Sequence, residues 1–97
     1  MQALNKVVDK FQRRTMGLLQ NDGIFKVVVE LKENSVLLLL FLDSDPDVSK
    51  YTELEVRYQR MFSDDPEYTI KVYPRTNIFQ LNKNHYNIWK QGSGYLV

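Results

Sequence analysis

The sequence predicts an α+β fold in a single domain, residues 1–97. An amino-terminal amphipathic helix packs on a mainly antiparallel sheet of about five strands, with a short carboxy-terminal helix or arm. Residues 3–20 carry apolar side chains at helical spacing, residues 25–43 have the pattern of a β-hairpin, and residues 36–42 are apolar at every position. Because a strand that is apolar on both faces must be covered on both, we expect residues 36–42 to lie inside the sheet with a layer on each side.

The first element is predicted to be a helix over residues 3–20. Its apolar stripe follows the i, i+3, i+4, i+7 spacing: Leu4, Val7, Val8, Phe11, Thr15, Leu18 and Leu19. Gly17 lies inside this helix and costs about 1 kcal/mol relative to alanine, so we expect the helix to bend or fray there. The run Asn-Asp-Gly at 21–23 predicts the end of the helix, because glycine readily takes the left-handed conformation of a helix cap.

The hairpin consists of two β-favouring runs on either side of Lys-Glu-Asn-Ser at 32–35. In the first run, apolar residues from Phe25 to Leu31 alternate with a second set that includes Lys26 and Glu30. The second run offers apolar side chains to both faces, so a shift of one residue is equally acceptable. The pattern therefore predicts the hairpin and leaves its pairing register open.

Residues 48–62 fit two structures. As a strand over 53–59, Leu54, Val56 and Tyr58 share one face, and we favour this interpretation because the segment is rich in aromatic and β-branched residues. The helical alternative has an apolar stripe of equal quality and a proline near its start. That stripe consists of Tyr51, Leu54, Tyr58, Met61 and Phe62.

The remaining elements are short. We predict a turn at 63–66, a strand at 68–72, a turn at 74–77, a strand at 78–81, a short helix at 84–90 and a flexible segment at 91–94.

The composition excludes several classes of protein. The chain has no cysteine, which rules out disulfides, thiolate metal sites and a cysteine nucleophile. The amino terminus lacks the apolar core of a signal peptide, and the apolar run at 37–42 is far shorter than the roughly 20 residues that cross a bilayer. We therefore expect a soluble, cytoplasmic protein that makes no membrane contact.

Catalytic and metal-binding patterns are missing from the sequence. His85 is the only histidine, so a site built on two histidines cannot form. The acidic run at 43–47 resembles the opening of a calcium-binding loop, but Val48 and Leu54 stand where such a loop needs a glycine and a bidentate glutamate. With four glycines there is no phosphate-binding loop. We therefore predict no catalytic residue, no metal site and no cofactor, and we expect that the protein is not an enzyme.

One pattern resembles a known family. A helix, a hairpin followed by Pro46-Asp47, and then a segment bearing Glu55 and Arg57 resemble the core of the PD-(D/E)xK nucleases. In that family the acids hold Mg²⁺ and a lysine on the third strand helps to activate water. Arg57 stands in place of the lysine and keeps its proton, so it could stabilise charge without acting as a base. The family's helix after the third strand is also missing, so the resemblance implies a degenerate metal nuclease.

Charge is unevenly distributed along the chain, and this raises a second hypothesis. Residues 43–67 carry eight acids against three basic residues, whereas residues 68–97 carry four basic residues and no acid. In the last third, basic residues alternate with aromatic residues, a pattern typical of proteins that bind single-stranded nucleic acid. The candidate contacts to nucleic acid are Lys71, Arg75, Lys83 and Lys90.

Our leading functional prediction is a small, non-catalytic protein-interaction module that self-associates and regulates or inhibits another protein. The first helix can cover one face of the apolar strand at 36–42, and the carboxy-terminal segment is small for the other face. A second copy could complete that layer, because exposed apolar patches usually mark interfaces. The predicted partners are another protein and further copies of this chain. The predicted interface residues are Tyr86, Ile88, Trp89, Tyr95 and Leu96.

Overall fold

The computed structural model describes residues 3–44, 46–77 and 80–97. Its elements are α1 (Leu4–Thr15), α2 (Leu18–Asn21), β1 (Ile24–Leu31), β2 (Val36–Leu42), α3 (Val48–Arg60), β3 (Tyr68–Pro74), β4 (His85–Lys90) and β5 (Gly94–Tyr95). The strands form one sheet in the order β3-β2-β1-β4-β5, in which only the β2–β3 pairing is parallel among the described strands. The predicted α+β fold, with an amino-terminal helix on a mainly antiparallel sheet, is confirmed.

The predicted first helix is present and breaks where the glycine was expected to bend it. Helix α1 ends at Thr15, and both Met16 (φ 43°) and Gly17 (φ 81°) take the left-handed conformation before α2 begins. Gly23 also has a positive φ, 75°, and directly follows the turn that ends α2. The apolar stripe of α1 faces inward, since Val7 and Phe11 are fully buried.

The predicted hairpin is also present, and the structure fixes its register. Val27 lies opposite Leu40, and Leu31 lies opposite Val36. A β-bulge between Ile24 and Lys26 shifts the register at the open end of the hairpin. Strand β2 has β1 on one side and β3 on the other, so the apolar strand lies inside the sheet as predicted.

One face of the sheet is covered by the helices. The side chains of Leu38, Leu40 and Val29 point to this face and are fully buried there with Phe11 and Tyr58. Between α1 and β3 three aromatic rings stack in sequence: the ring of Phe62 lies 6.3 Å from that of Phe11 and 4.9 Å from that of Tyr68.

The other face, which we call the second face, has its own small apolar cluster. Val28, Leu39 and Phe41 are fully buried there, and Tyr73 stacks on Phe41 with 5.6 Å between ring centroids. The ammonium of Lys26 lies 4.8 Å from the centroid of the Phe41 ring. Both faces of β2 are therefore covered within one chain, and no second copy is needed to bury them.

The preferred interpretation of residues 53–59 as a strand is wrong. They belong to α3, and Leu54 and Tyr58, four residues apart on one helical face, are both fully buried. The physical reason is the parallel pairing of β2 with β3, because parallel neighbours need a crossover connection and a helix usually provides it. Local β-propensity is overridden by this tertiary requirement.

One prediction for the carboxy-terminal third is also wrong. Residues 84–90 were predicted to be a helix, but His85–Lys90 is strand β4, which pairs with β1. Residues 91–93 form the turn that joins β4 to β5, and the flexibility of 91–94 stays a prediction. The predicted turns at 63–66 and 74–77 are confirmed, and so is the predicted strand at 68–72, which lies within β3. Of the strand predicted at 78–81, Ile78 and Phe79 lie outside the described residues, and Gln80 and Leu81 belong to no strand.

Candidate functional site

The two edges of the sheet differ, and this difference defines the candidate site. An edge strand presents main-chain N–H and C=O groups that have no partner strand, and another chain can pair with them. One edge is β3, and the other is formed by β4 together with the two-residue strand β5. Side chains bond the outer main-chain groups of the β3 edge, whereas part of the β4 edge has no partner strand among the described residues.

The β3 edge is occupied by side chains from α3. The amide of Gln59 donates through Nε2 to the carbonyl of Tyr68 at 2.8 Å, and its Oε1 accepts from the N–H of Ile70 at 3.0 Å. One turn earlier, Oε2 of Glu55 accepts from the N–H of Val72 at 3.1 Å. These bonds satisfy three outward-facing groups of β3, so a partner strand would have to displace them.

At the other edge, β5 covers only part of β4. It pairs with Trp89 and Lys90, and the N–H of Leu96 adds one bond to the carbonyl of Ile88 at 3.0 Å. The N–H of Leu31 in β1 bonds the carbonyl of Asn84. Because the main-chain groups of successive residues in a strand point alternately to opposite sides, those of Tyr86 also face β1. Those of Asn87 therefore point outward, and among the described residues no strand pairs with them. The N–H of His85 bonds the carbonyl of Asn82, so we call Tyr86 and Asn87 the open segment of β4.

The structure separates the predicted interface residues into two groups. Ile88 is fully buried and Trp89 is 8% exposed, because both pack into the core beneath the helices. Tyr86 (38% exposed) and Leu96 (50%) remain on the surface beside the open segment of β4, together with Val97 (59%). The sequence analysis grouped all five predicted residues as interface residues and could not separate the core residues from the surface residues.

Tyr95 is intermediate between these groups. It is half-buried, pairs with Trp89 and packs against the main core. Burial raises the pKa of the Tyr95 hydroxyl above its usual range, and a hydrogen bond with Thr15 opposes this shift. Its ring fixes β5 to the end of α1.

The residues predicted to contact nucleic acid are partly brought together. Lys71 lies opposite Leu39 and points to the second face. The guanidinium of Arg75 lies 4.0 Å from the centroid of the Phe25 ring, and the ammonium of Lys90 lies 5.8 Å from the same centroid. Lys83 is exposed on the connection before β4 and joins no such cluster among the described residues. Lys26, which the sequence analysis missed, lies directly opposite Lys90.

The acidic middle of the chain pairs mainly with α1. The guanidinium of Arg14 donates to Asp64 at 2.8 Å, to Asp65 at 3.2 Å and to the carbonyl of Met61 at 2.6 Å, while Lys10 also reaches Asp65. The hydrogen bond with Asp64 raises the pKa of Arg14 and holds the pKa of Asp64 below its usual range. These contacts tie α1 to the turn after α3.

The residues of the nuclease-like pattern do not form a metal site. Glu55 and Arg57 lie on α3 rather than on a strand, with Glu55 bonded to β3 and Arg57 paired with Asp22 at 3.1 Å. Asp47 is exposed at the start of α3. Within the described ranges, no three His, Cys, Asp or Glu side chains are placed to hold a metal ion together.

His85 is largely buried on the second face. Its Nδ1 accepts from the main-chain N–H of Asn82 at 3.1 Å, and its Nε2 lies 3.6 Å from the carboxylate of Glu30. These contacts hold the imidazole against β1 at the start of β4. The arrangement is that of a histidine that fixes a strand end.

Comparison with known proteins gives a fold and no family. No protein-family model matches the sequence, and no curated protein matches it. The fold is similar to a chain in the structure of a tri-AMPylated HEPN toxin in complex with an MNT antitoxin from Shewanella oneidensis. The TM-score is 0.55 at 10% identity, over 86% of this chain and 72% of that one. A second Shewanella oneidensis structure matches with a TM-score of 0.55 and 15% identity, over 89% and 72%. At these identities the likeness shows the fold alone.

Within residues 3–44, 46–77 and 80–97, no helix is both long and apolar enough to cross a bilayer.

Proposed function

We propose that this protein is a non-catalytic interaction module that self-associates through the open segment of β4. The observation that carries the proposal is the contrast between the sheet edges: Gln59 and Glu55 occupy the β3 edge, whereas β5 stops short of covering β4. Natural proteins usually protect edge strands against pairing with other chains. An edge left open beside exposed apolar side chains is therefore a docking surface for another strand.

A second copy fits this surface by symmetry. Two open segments related by a twofold axis would run antiparallel, and each would offer the same main-chain groups to the other. By alternation, Tyr86 and Val97 lie on the helix-covered side of the sheet and Leu96 on the second face. Apolar contacts would thus flank the paired strands on both sides.

The role of regulator or inhibitor rests on the comparison. A protein of similar fold occurs in a complex of a toxin with its antitoxin, which supports a function exerted by binding another protein. The proposed edge supplies a surface for such binding, because main-chain pairing gives affinity and flanking side chains give specificity. A cytoplasmic location stays a prediction.

The test is the mass of the protein in solution. Light scattering after size-exclusion chromatography at about 100 μM should give a dimer that dissociates on dilution. Tyr86→Asp should shift it to monomer, because the twofold axis brings the two new charges together. Val56→Asp is the matched control, since Val56 is 45% exposed on α3 beside the blocked edge. A monomer at this concentration, or equal effects of the two variants, would refute the edge interface.

The non-catalytic part of the proposal has a separate test. We expect no Mg²⁺-dependent cleavage of DNA or RNA by the purified protein. Cleavage that Asp47→Ala and Glu55→Ala both abolish, while the variants stay folded by circular dichroism, would instead establish a nuclease.

A further inference from the structure

Two cations lie beside the ring of Phe25 on the second face, and a third, Lys26, lies next to one of them and over the ring of Phe41. Phe25 is half-buried at the bulge of β1. Arg75, just after β3, lies 4.0 Å from its ring centroid, and Lys90, at the end of β4, lies 5.8 Å from it. Lys26 of β1 lies directly opposite Lys90. We call Lys26, Arg75 and Lys90 the basic cluster.

Two of the three cations in the basic cluster, Lys26 and Lys90, have no acidic partner among the described residues. Like charges directly opposite each other on adjacent strands destabilise a sheet, and Lys26 and Lys90 stand in this relation. Asp43 pairs with Arg75 at 3.1 Å, in an exposed ion pair that water screens. Neither lysine forms an ion pair with any residue in the described part of the chain. An anion bound here would relieve this repulsion.

A groove beside the basic cluster has a lining that suits the base of a nucleotide. Its volume is about 280 Å³, and it is lined by Phe25, Lys26, Asn87, Trp89, Lys90 and Leu96. Two ammonium groups thus stand beside aromatic and aliphatic walls, and Asn87 adds an amide that can both donate and accept hydrogen bonds. This combination suits a ligand that is anionic on one side and flat and apolar on the other.

We propose that the basic cluster and this groove bind single-stranded nucleic acid. The phosphates would contact Lys26, Arg75 and Lys90, and a base would enter the groove between Phe25 and Leu96. Lys71, exposed on the same face, extends the positive charge along β3. A single strand is favoured over a duplex because a base can enter a groove only when it is unpaired, and stacking on aromatic rings contributes to binding without regard to sequence.

The experiment uses fluorescence anisotropy of a labelled ten-nucleotide oligothymidylate with the full chain. Salt-dependent binding is expected, and Lys26→Gln and Lys90→Gln should each weaken it several-fold. Each should also reduce the slope of log K against log salt by about 0.7, the value for one phosphate contact on a single strand. Lys6→Gln is the matched control, because Lys6 is exposed on α1 on the opposite side of the sheet. An equal loss in the Lys6 variant would overturn the proposal.

Two competitor ligands separate a nucleic-acid site from general attraction of anions. An abasic oligonucleotide of the same length keeps the phosphates and should bind several-fold more weakly, and polyglutamate should not displace the oligothymidylate. Equal affinity for the abasic strand, or displacement by polyglutamate, would refute base binding in the groove. Tyr86→Asp should retain binding, because Tyr86 lies opposite Val29 on the helix-covered face of the sheet and the groove lies on the second face. If the unsubstituted protein is monomeric and still binds the strand, the edge interface is rejected and this proposal stands.

Discussion

The side chain of Gln59 bonds the main chain of Tyr68 in the way that a neighbouring strand would. It donates to the carbonyl of Tyr68 at 2.8 Å and accepts from the N–H of Ile70 at 3.0 Å. Gln59→Ala would leave both main-chain groups without these partners at a partly buried site. We expect it to lower the free energy of unfolding by about 1 to 3 kcal/mol, measured by urea denaturation.

Glu53→Ala is the control for this change. Glu53 is exposed on the same helix, and its removal should alter stability by less than about 0.5 kcal/mol. If the two variants unfold at the same urea concentration, the bonds of Gln59 to β3 contribute nothing to stability. Gln59→Ala should also associate more readily than the wild type, because the β3 edge becomes available for pairing.

Leu40 and Leu39 test whether both faces of β2 are packed. Both side chains are fully buried, Leu40 beneath the helices and Leu39 on the second face. Each substitution by alanine should cost about 2 to 5 kcal/mol, the range for a buried leucine that leaves a cavity. A cost below about 0.5 kcal/mol for either variant would show that its face is not packed.

Stability should fall in alkaline solution because of buried tyrosines. Burial raises the pKa of Tyr68 to about 12, and burial followed by a hydrogen bond to Asp22 raises that of Tyr58 further. In the unfolded chain both lose their protons near pH 10, so the stabilisation is fully present below pH 10 and is lost as the pH rises. The expected slope between pH 10 and 12 is about 1 kcal/mol per pH unit for each tyrosine, below the limit of about 1.4 for the release of one full proton.

Denaturation of Tyr68→Phe across the same pH range checks this assignment. In this variant the slope of the free energy of unfolding against pH should fall by about half, because phenylalanine has no proton to release. A slope that the substitution does not change would assign the alkaline loss of stability to other groups.

The contact between Arg14 and Asp64 predicts a measurable change in acid titration. Arg14 holds the pKa of Asp64 below its usual range through a hydrogen bond of 2.8 Å. In Arg14→Gln the pKa of Asp64 should rise towards the ordinary aspartate value, as followed by NMR of its carboxyl carbon. Arg13→Gln is the control, because Arg13 pairs with Asp9 on the exposed side of α1 and should leave the Asp64 titration unchanged.

Elements governed by local periodicity could be predicted from the sequence. The stripe of α1, its break at Gly17 and the two runs of the hairpin depend on neighbours within a few residues. The apolar run of β2 also predicted that the strand lies inside the sheet with both faces covered. These features need no knowledge of the distant parts of the chain.

The structures of residues 53–59 and 85–90 depend on pairing between strands that are far apart in the sequence. Leu54 and Tyr58 fit either a strand or a helix, and only the parallel contact of β3 with β2 requires the helix. Similarly, His85–Lys90 is a strand because β1 offers it a free edge.

The candidate sites depend on the same long-range order. Lys26, Arg75 and Lys90 lie far apart in the sequence and meet only because the sheet order brings β1 and β4 together while Arg75 reaches Phe25. The sequence alone determined which residue types are available: basic and aromatic side chains in the last third and an apolar, cysteine-free core. The tertiary structure decided which of them are buried and which face solvent, because burial depends on contacts between strands that periodicity within one strand does not specify.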